Sequence, residues 1–159
     1  MSLLDRRTVL LFPLALAACG FQPVYGTGGT GDKLQGRVEV SEPETRDAFL
    51  VTRRIEERMG RAGDPAYALA LTVRSQKDGL AVNRQGNITR FNLLGEADYV
   101  LTDTRSGQVI TSGSVDSFTG YSATGTTVAT LAAERDAQQR LMIILADQII
   151  TRLLSTDIA

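Results

Sequence analysis

The sequence predicts an α+β fold, in which a small mixed or antiparallel β-sheet of about four strands is covered by two α-helices. Residues 66–74 alternate large apolar with small side chains, which is the pattern of a strand. Residues 43–60 and 131–154 repeat apolar side chains at spacings of three and four, which is the pattern of helices. Extended stretches separated by turn residues lie between them, which favours neighbouring strands paired as hairpins.

The first predicted strand and the first predicted helix follow each other directly. The strand is expected over residues 36–40, whose sequence is GRVEV. The next four residues, Ser41-Glu42-Pro43-Glu44, fit a capping box with proline early in the first turn, so a helix is expected from there to about Gly60. One face of this helix is apolar and is expected to be buried: Ala48, Val51, Ile55 and Met59.

The central part of the chain is predicted to form the remaining strands. Residues 66–74 carry a face of large side chains and a face of small ones, and the sequence does not decide which face meets the helices. A turn is expected at Lys77-Asp78-Gly79, and two or three extended pieces follow, with Gly86 and Gly95 marking a bulge, turn or bend. A hairpin turn at residues 104–108 then leads into the last strand.

The last part of the chain is predicted to be a loop and a long helix. Residues 122–130 are uncharged and have no strong periodicity, which is typical of a loop. The apolar face of the following helix is too broad for a free surface helix, so we expect it to pack on the sheet rather than dock into a partner. This face contains Leu141, Met142, Leu145, Ile149, Ile150 and Leu153.

The composition limits the classes of function. The chain has 159 residues, one cysteine, no histidine and a formal net charge of −1. Without histidine it lacks the usual general base near neutral pH and the commonest metal ligand, and no Gly-x-Ser-x-Gly nucleophile motif is present. We therefore expect a single domain that is not an enzyme, with no catalytic residues, no metal and no nucleic-acid partner.

The N-terminus has the layout of a secretory signal. Arg6 and Arg7 precede an apolar run at residues 9–18, which is about half the length needed to span a bilayer. The arginine pair also fits part of a twin-arginine export signal, so the export route stays open. Leu16-Ala17-Ala18-Cys19 resembles the lipobox of bacterial lipoproteins, in which the cysteine is acylated and becomes the new N-terminus.

The lipobox resemblance implies three regions along the chain. Residues 1–18 are a lipoprotein signal peptide, residues 19–35 are a lipidated N-terminus with a glycine-rich tether, and residues 36–159 are the single domain. A lipid on Cys19 is then the only covalent group, and no cofactor is expected. Gly20 after the cysteine, rather than aspartate, favours onward transport to the outer membrane.

Three segments in this order resemble the LptE family of lipopolysaccharide-assembly lipoproteins, in its alphaproteobacterial form. They are LAACGFQPVYG at residues 16–26, RFNLLGEADYVLTDTRSGQVITSGSV at residues 90–115, and AERDAQQRLMIILADQIITRLL at residues 133–154. The resemblance implies an outer-membrane lipoprotein that plugs the LptD β-barrel, helps it assemble and takes part in lipopolysaccharide transport to the outer leaflet. It also implies a small sheet with two helices. The alternative is another outer-membrane lipoprotein that acts as a lipid-binding or envelope scaffold module.

Two groups of residues are candidates for these partners. Arg84 and Arg90 are candidates for binding lipopolysaccharide, because arginine binds phosphate through paired charge-assisted hydrogen bonds. The alternative is that both are ordinary solvent-facing charges. The uncharged stretch at residues 121–130 is a candidate for barrel contact, since it would enter a barrel without burying charge, or it is an ordinary exposed loop. The contact candidates are Phe118 and Tyr121 as aromatic anchors, with Ser122 and Thr126.

Overall fold

The computed structural model describes residues 29–158, and the predicted signal peptide and Cys19 lie outside this range. Three helices and four strands follow one another along the described chain. In order they are α1 (Thr30–Leu34), β1 (Val38–Val40), α2 (Arg46–Met59), β2 (Tyr67–Val82), β3 (Ile88–Asp103), β4 (Val109–Ser122) and α3 (Thr127–Leu154).

The four strands form one mixed sheet in the order β1-β2-β3-β4. β1 pairs in parallel with β2, in register Val38 with Tyr67, and the chain between them crosses over through α2. The other two pairings are antiparallel hairpins, with Leu69 opposite Leu101 and Ala97 opposite Val115. The predicted α+β class is confirmed, and the sheet is the mixed one of the two predicted alternatives.

Both long helices cover the same face of the sheet, and the core lies between them and the strands. The six apolar residues predicted for the last helix are all buried, and so are the four predicted for α2. The large side chains of β2 and β3, such as Leu69 and Leu101, face these helices. Arg54 of α2 donates two hydrogen bonds to the carboxylate of Asp147 in α3, at 3.0 and 3.1 Å, which joins the two helices near the surface.

The predicted start of α2 and the predicted end of the second strand were wrong, whereas α2 ends at its C-cap Gly60, as predicted. Thr45 caps α2, since its side chain accepts a hydrogen bond from the Ala48 N–H at 3.1 Å. Ser41, the predicted cap, instead extends the pairing of β1 with β2, because its N–H donates to the Leu69 carbonyl. The expected turn at residues 77–79 is part of β2, which continues to Val82 because it stays paired with β3.

The start of α3 and the end of the predicted tether also differ from expectation. Thr126 caps α3 by accepting a hydrogen bond from the Ala129 N–H, so the helix begins four residues before the predicted Leu131. The tether was predicted to reach residue 35, but α1 is a short helix and Leu34 is fully buried. Thr30 Oγ1 donates to the Thr156 carbonyl at 3.1 Å, which fixes α1 against the C-terminal segment.

Candidate functional site

The turn between β2 and β3 is closed by a network of hydrogen bonds around Asn83. Its side-chain oxygen accepts from the backbone N–H groups of Gln85 and Asn87, at 3.0 and 2.9 Å. The Asn83 N–H in turn donates to the Asn87 carbonyl, and Gly86 has a φ of +84°. These hydrogen bonds confirm the turn predicted at Gly86, where glycine adopts the positive φ without strain. The turn holds the exposed side chain of Arg84 at the end of the molecule.

We call the end of the sheet that carries this turn the hairpin end (residues 79–92 and 118–131). It carries positive charge and no acidic residue. Arg90 pairs with Ser122 across β3 and β4, so the end of β4 and the start of α3 lie beside the hairpin. Residues 79–95 contain two arginines and no acidic residue, and residues 117–133 contain no charged residue. Neither Arg84 nor Arg90 forms an ion pair within residues 29–158.

Large apolar side chains are exposed at the hairpin end together with the two arginines. Leu80, Val82, Ile88 and Val128 are between 42% and 78% exposed. An exposed apolar group beside unpaired positive charge is suited to a ligand that is itself amphipathic and anionic. The acid-free run from residue 79 to residue 95 is the sequence signal for this surface.

The four predicted contact residues do not form one exposed patch. Phe118 is 67% exposed and points away from the helices, opposite Leu94 of β3. Ser122 and the capping Thr126 are exposed near the start of α3. Tyr121 is 6% exposed and stacks on Phe91, with ring centroids 5.3 Å apart. The prediction of Tyr121 as an exposed anchor was wrong, because odd-numbered residues of β4 face the helices.

Tyr121 belongs to a cluster that closes the core at the hairpin end. Lys77 Nζ lies 2.8 Å from Glu134 Oε1 and 5.3 Å from the centroid of the Phe91 ring. The hydrogen bond to Glu134 raises the pKa of Lys77, and burial raises the pKa of Tyr121. Lys77 therefore stays charged and Tyr121 stays neutral near pH 7. The sequence did not predict these contacts of Lys77, because a turn was expected at residues 77–79.

The face of the sheet opposite the helices, which we call the open face, is covered by no described element. It carries the small side chains of β2, such as Ala70, together with the exposed pair Leu94 and Phe118. This pair borders a hollow of about 670 Å³. Arg74 Nη2 lies 2.6 Å from the Asp98 carboxylate and 3.5 Å from that of Glu96. The hydrogen bond from Arg74 lowers the pKa of Asp98, so Asp98 stays ionised near pH 7 and remains paired with Arg74.

Within residues 29–158, no group of three or more acidic or cysteine side chains is close enough to hold a metal ion. No helix in this range is both long and apolar enough to cross a membrane.

Comparisons with known proteins agree with the fold. Residues 35–153 match the family model described as "LptE: Lipopolysaccharide-assembly". A protein from Caulobacter crescentus CB15 described as a lipoprotein has a TM-score of 0.66 and 26% identity, over 79% of this chain and 93% of that one. The rare lipoprotein B of Shewanella oneidensis has a TM-score of 0.58 and 18% identity, over 75% of this chain and 92% of that one.

A third structure, lipoprotein B of Nitrosomonas europaea, has a TM-score of 0.58 and 14% identity, over 75% of this chain and 82% of that one. No curated protein matches the sequence significantly. The family match covers most of the chain and all four strands. The chain therefore belongs to the LptE family of non-enzymatic lipoproteins, which act in the lipopolysaccharide transport machinery.

Proposed function

We propose that this protein is an outer-membrane lipoprotein, anchored through Cys19, that plugs an LptD-like β-barrel, assists its assembly and takes part in delivering lipopolysaccharide to the outer leaflet. The observation that carries the plug role is the open face, because a sheet face without a covering layer has room for a partner wall. The lumen of a large barrel is polar. The open face suits such a lumen, since charged side chains, such as Arg74 paired with Asp98, lie among its exposed apolar residues Leu94, Val100 and Phe118.

The length of the domain is compatible with an anchor in the inner leaflet and a hairpin end near the outer leaflet. β2 has 16 residues, and a strand of that length extends about 50 Å. It begins beside Arg37, close to the start of the described chain, and ends at the hairpin, so the N-terminal side and the hairpin end are separated by this length. The hydrocarbon core of a bilayer is about 30 Å thick. An anchor in the inner leaflet would therefore allow the hairpin end to reach the outer leaflet.

Co-purification with a barrel tests the plug role. We expect the full-length protein, extracted from membranes, to bring down an LptD-like barrel. Phe118→Ala should weaken this complex at least about tenfold, because a large exposed aromatic residue is the kind that dominates interfaces. Phe49→Ala is the matched control, since Phe49 is 52% exposed but lies on α2.

The outcomes of that experiment are distinct. Recovery of no barrel, or of peptidoglycan or a soluble scaffold protein instead, would reject the plug role in favour of another envelope lipoprotein. Equal weakening by Phe118→Ala and Phe49→Ala would show that the open face does not contact the barrel.

We propose that Arg84 and Arg90 contribute to lipopolysaccharide binding at the hairpin end, since both are exposed and lack an ion pair within the described residues. Hydrogen bonds to charged groups contribute about 1.5–3 kcal/mol each. Replacing both with alanine should therefore lower affinity for purified lipopolysaccharide at least about tenfold, without loss of folding. The control is Arg58→Ala with Arg105→Ala, two exposed arginines far from the hairpin end. Equal affinity of the two double variants would disprove the assignment.

A further inference from the structure

Within residues 29–158, the sheet has one long edge to which no other strand pairs, and this edge is β4. The other edge strand, β1, has three residues, whereas β4 has 14. The Ala123 N–H donates to the Thr89 carbonyl, and hydrogen-bonded pairs alternate along an antiparallel ladder. With the register of Arg90 opposite Ser122, the odd-numbered residues of β4 bond to β3. The even-numbered ones, among them Ser112, Ser114 and Asp116, direct their N–H and C=O groups to the free edge.

This edge lacks the features that normally prevent strand pairing. Natural edge strands are commonly interrupted by lysine or proline, shortened, or covered. Residues 109–122 contain no proline and no basic residue, and Asp116 is their one charge. The edge is therefore chemically able to accept a further strand.

A groove runs between this edge and α3. It has a volume of about 590 Å³ and is bordered by Val115 and Asp116 on the strand and by Ile144 and Arg152 on the helix. Ile144 is 36% exposed on the groove side of the helix. A sheet edge beside a helix is a geometry that binds extended peptides, since the edge supplies main-chain hydrogen bonds and the helix supplies side-chain contacts.

The charges around the groove indicate what it binds. Asp116 lies directly opposite Glu96, which is an unfavourable pair of like charges. Arg74 forms ion pairs with Glu96 and Asp98 and not with Asp116. Neither Asp116 nor Arg152 has an ion pair within residues 29–158. A matching strand would carry a basic side chain beside Asp116, an apolar one over Ile144 and an acidic one near Arg152.

We infer that the free edge of β4 binds an extended segment of the barrel partner, which joins the sheet as a fifth strand and fills the groove against α3. This inference rests on the proposed plug function and adds the mode of contact. Strand addition differs from docking on the open face because it uses backbone groups of β4, whereas the open face offers side chains.

Ser114→Pro tests the inference directly. Proline removes an N–H that faces the free edge, so the ladder with β3 stays intact, while an added strand loses its donor. Ser114→Ala is the matched control, because it loses the same hydroxyl contact with Glu96 but keeps the N–H. We expect Ser114→Pro to bind the co-purified barrel at least about tenfold more weakly than Ser114→Ala.

Amide hydrogen exchange on the wild-type protein gives a second readout that needs no variant. The N–H groups of Ser112, Ser114 and Asp116 should exchange at least about tenfold more slowly in the barrel complex than in the free protein. A complex in which these amides exchange at the free rate overturns strand addition and leaves the plug role standing. Absence of any complex overturns both. Self-association abolished by Ser114→Pro but not by Ser114→Ala would overturn the barrel segment in favour of a second copy.

Discussion

Replacing Gly95 with leucine is expected to destabilise the protein by about 3 kcal/mol, because α3 crosses β3 at this residue with no space for a side chain. A Cβ atom at Gly95 would lie 3.0 Å from both Leu141 Cδ2 and Leu145 Cδ1. Both leucines are fully buried, so the helix would have to move away from the sheet. Urea unfolding of the purified domain, followed by circular dichroism, measures the change.

Two further variants separate crowding from a backbone effect. Gly63→Leu is the control, since a Cβ at Gly63 meets nothing within 4 Å, and it should change stability by less than about 0.5 kcal/mol. Adding Leu145→Ala to Gly95→Leu should restore part of the lost stability, because the second change makes room for the first. Strict additivity of the two changes would show that the leucines do not constrain Gly95.

Removing the thiol of Cys19 is expected to abolish anchoring of the isolated protein. Each buried acyl methylene contributes about 0.8 kcal/mol to membrane binding, so several acyl chains make it firm. In detergent phase separation without the barrel, the natural protein should enter the detergent phase. Mass spectrometry of its N-terminal peptide should show a lipid on Cys19.

The control keeps export but removes the attachment point. A variant with an ordinary cleavable signal peptide, whose mature chain begins at Gly20, should stay in the aqueous phase. Its unfolding should match that of the natural protein, since Leu34 is the first buried apolar side chain among residues 29–158. A natural chain that starts unmodified at Met1 would show that the lipobox resemblance is misleading.

Periodicity predicted the buried faces of the two long helices correctly. The four apolar residues of α2 and the six of α3 are buried, whereas the sequence left open which face of β2 meets the helices, and the structure shows that it is the face with large side chains. Helix spacing and strand alternation are local properties, so they are visible in a single sequence. The boundaries were less predictable, because Thr45 rather than Ser41 caps α2 once Ser41 is paired with β2.

The candidate contact residues also show which features local patterns predict and which depend on the tertiary structure. Phe118 and Tyr121 looked alike as aromatic residues near an uncharged stretch, but alternation along β4 exposes the first and buries the second against Phe91. Gly95 was predicted to mark a bulge, turn or bend, yet β3 is continuous there and the glycine makes room for α3. Register and helix position, which set both outcomes, depend on pairings between distant residues.

The sequence by itself determined the α+β class, the apolar faces of the two long helices, the lack of histidine chemistry and the lipobox-like position of Cys19, because each follows from residue type and local spacing. The tertiary structure alone decided which sheet face stays open, that the acid-free segments at Arg90 and Ser122 meet at one end, and that the edge of β4 is free. These features arise from strand pairing and helix packing between distant segments, which bury some faces and leave others exposed.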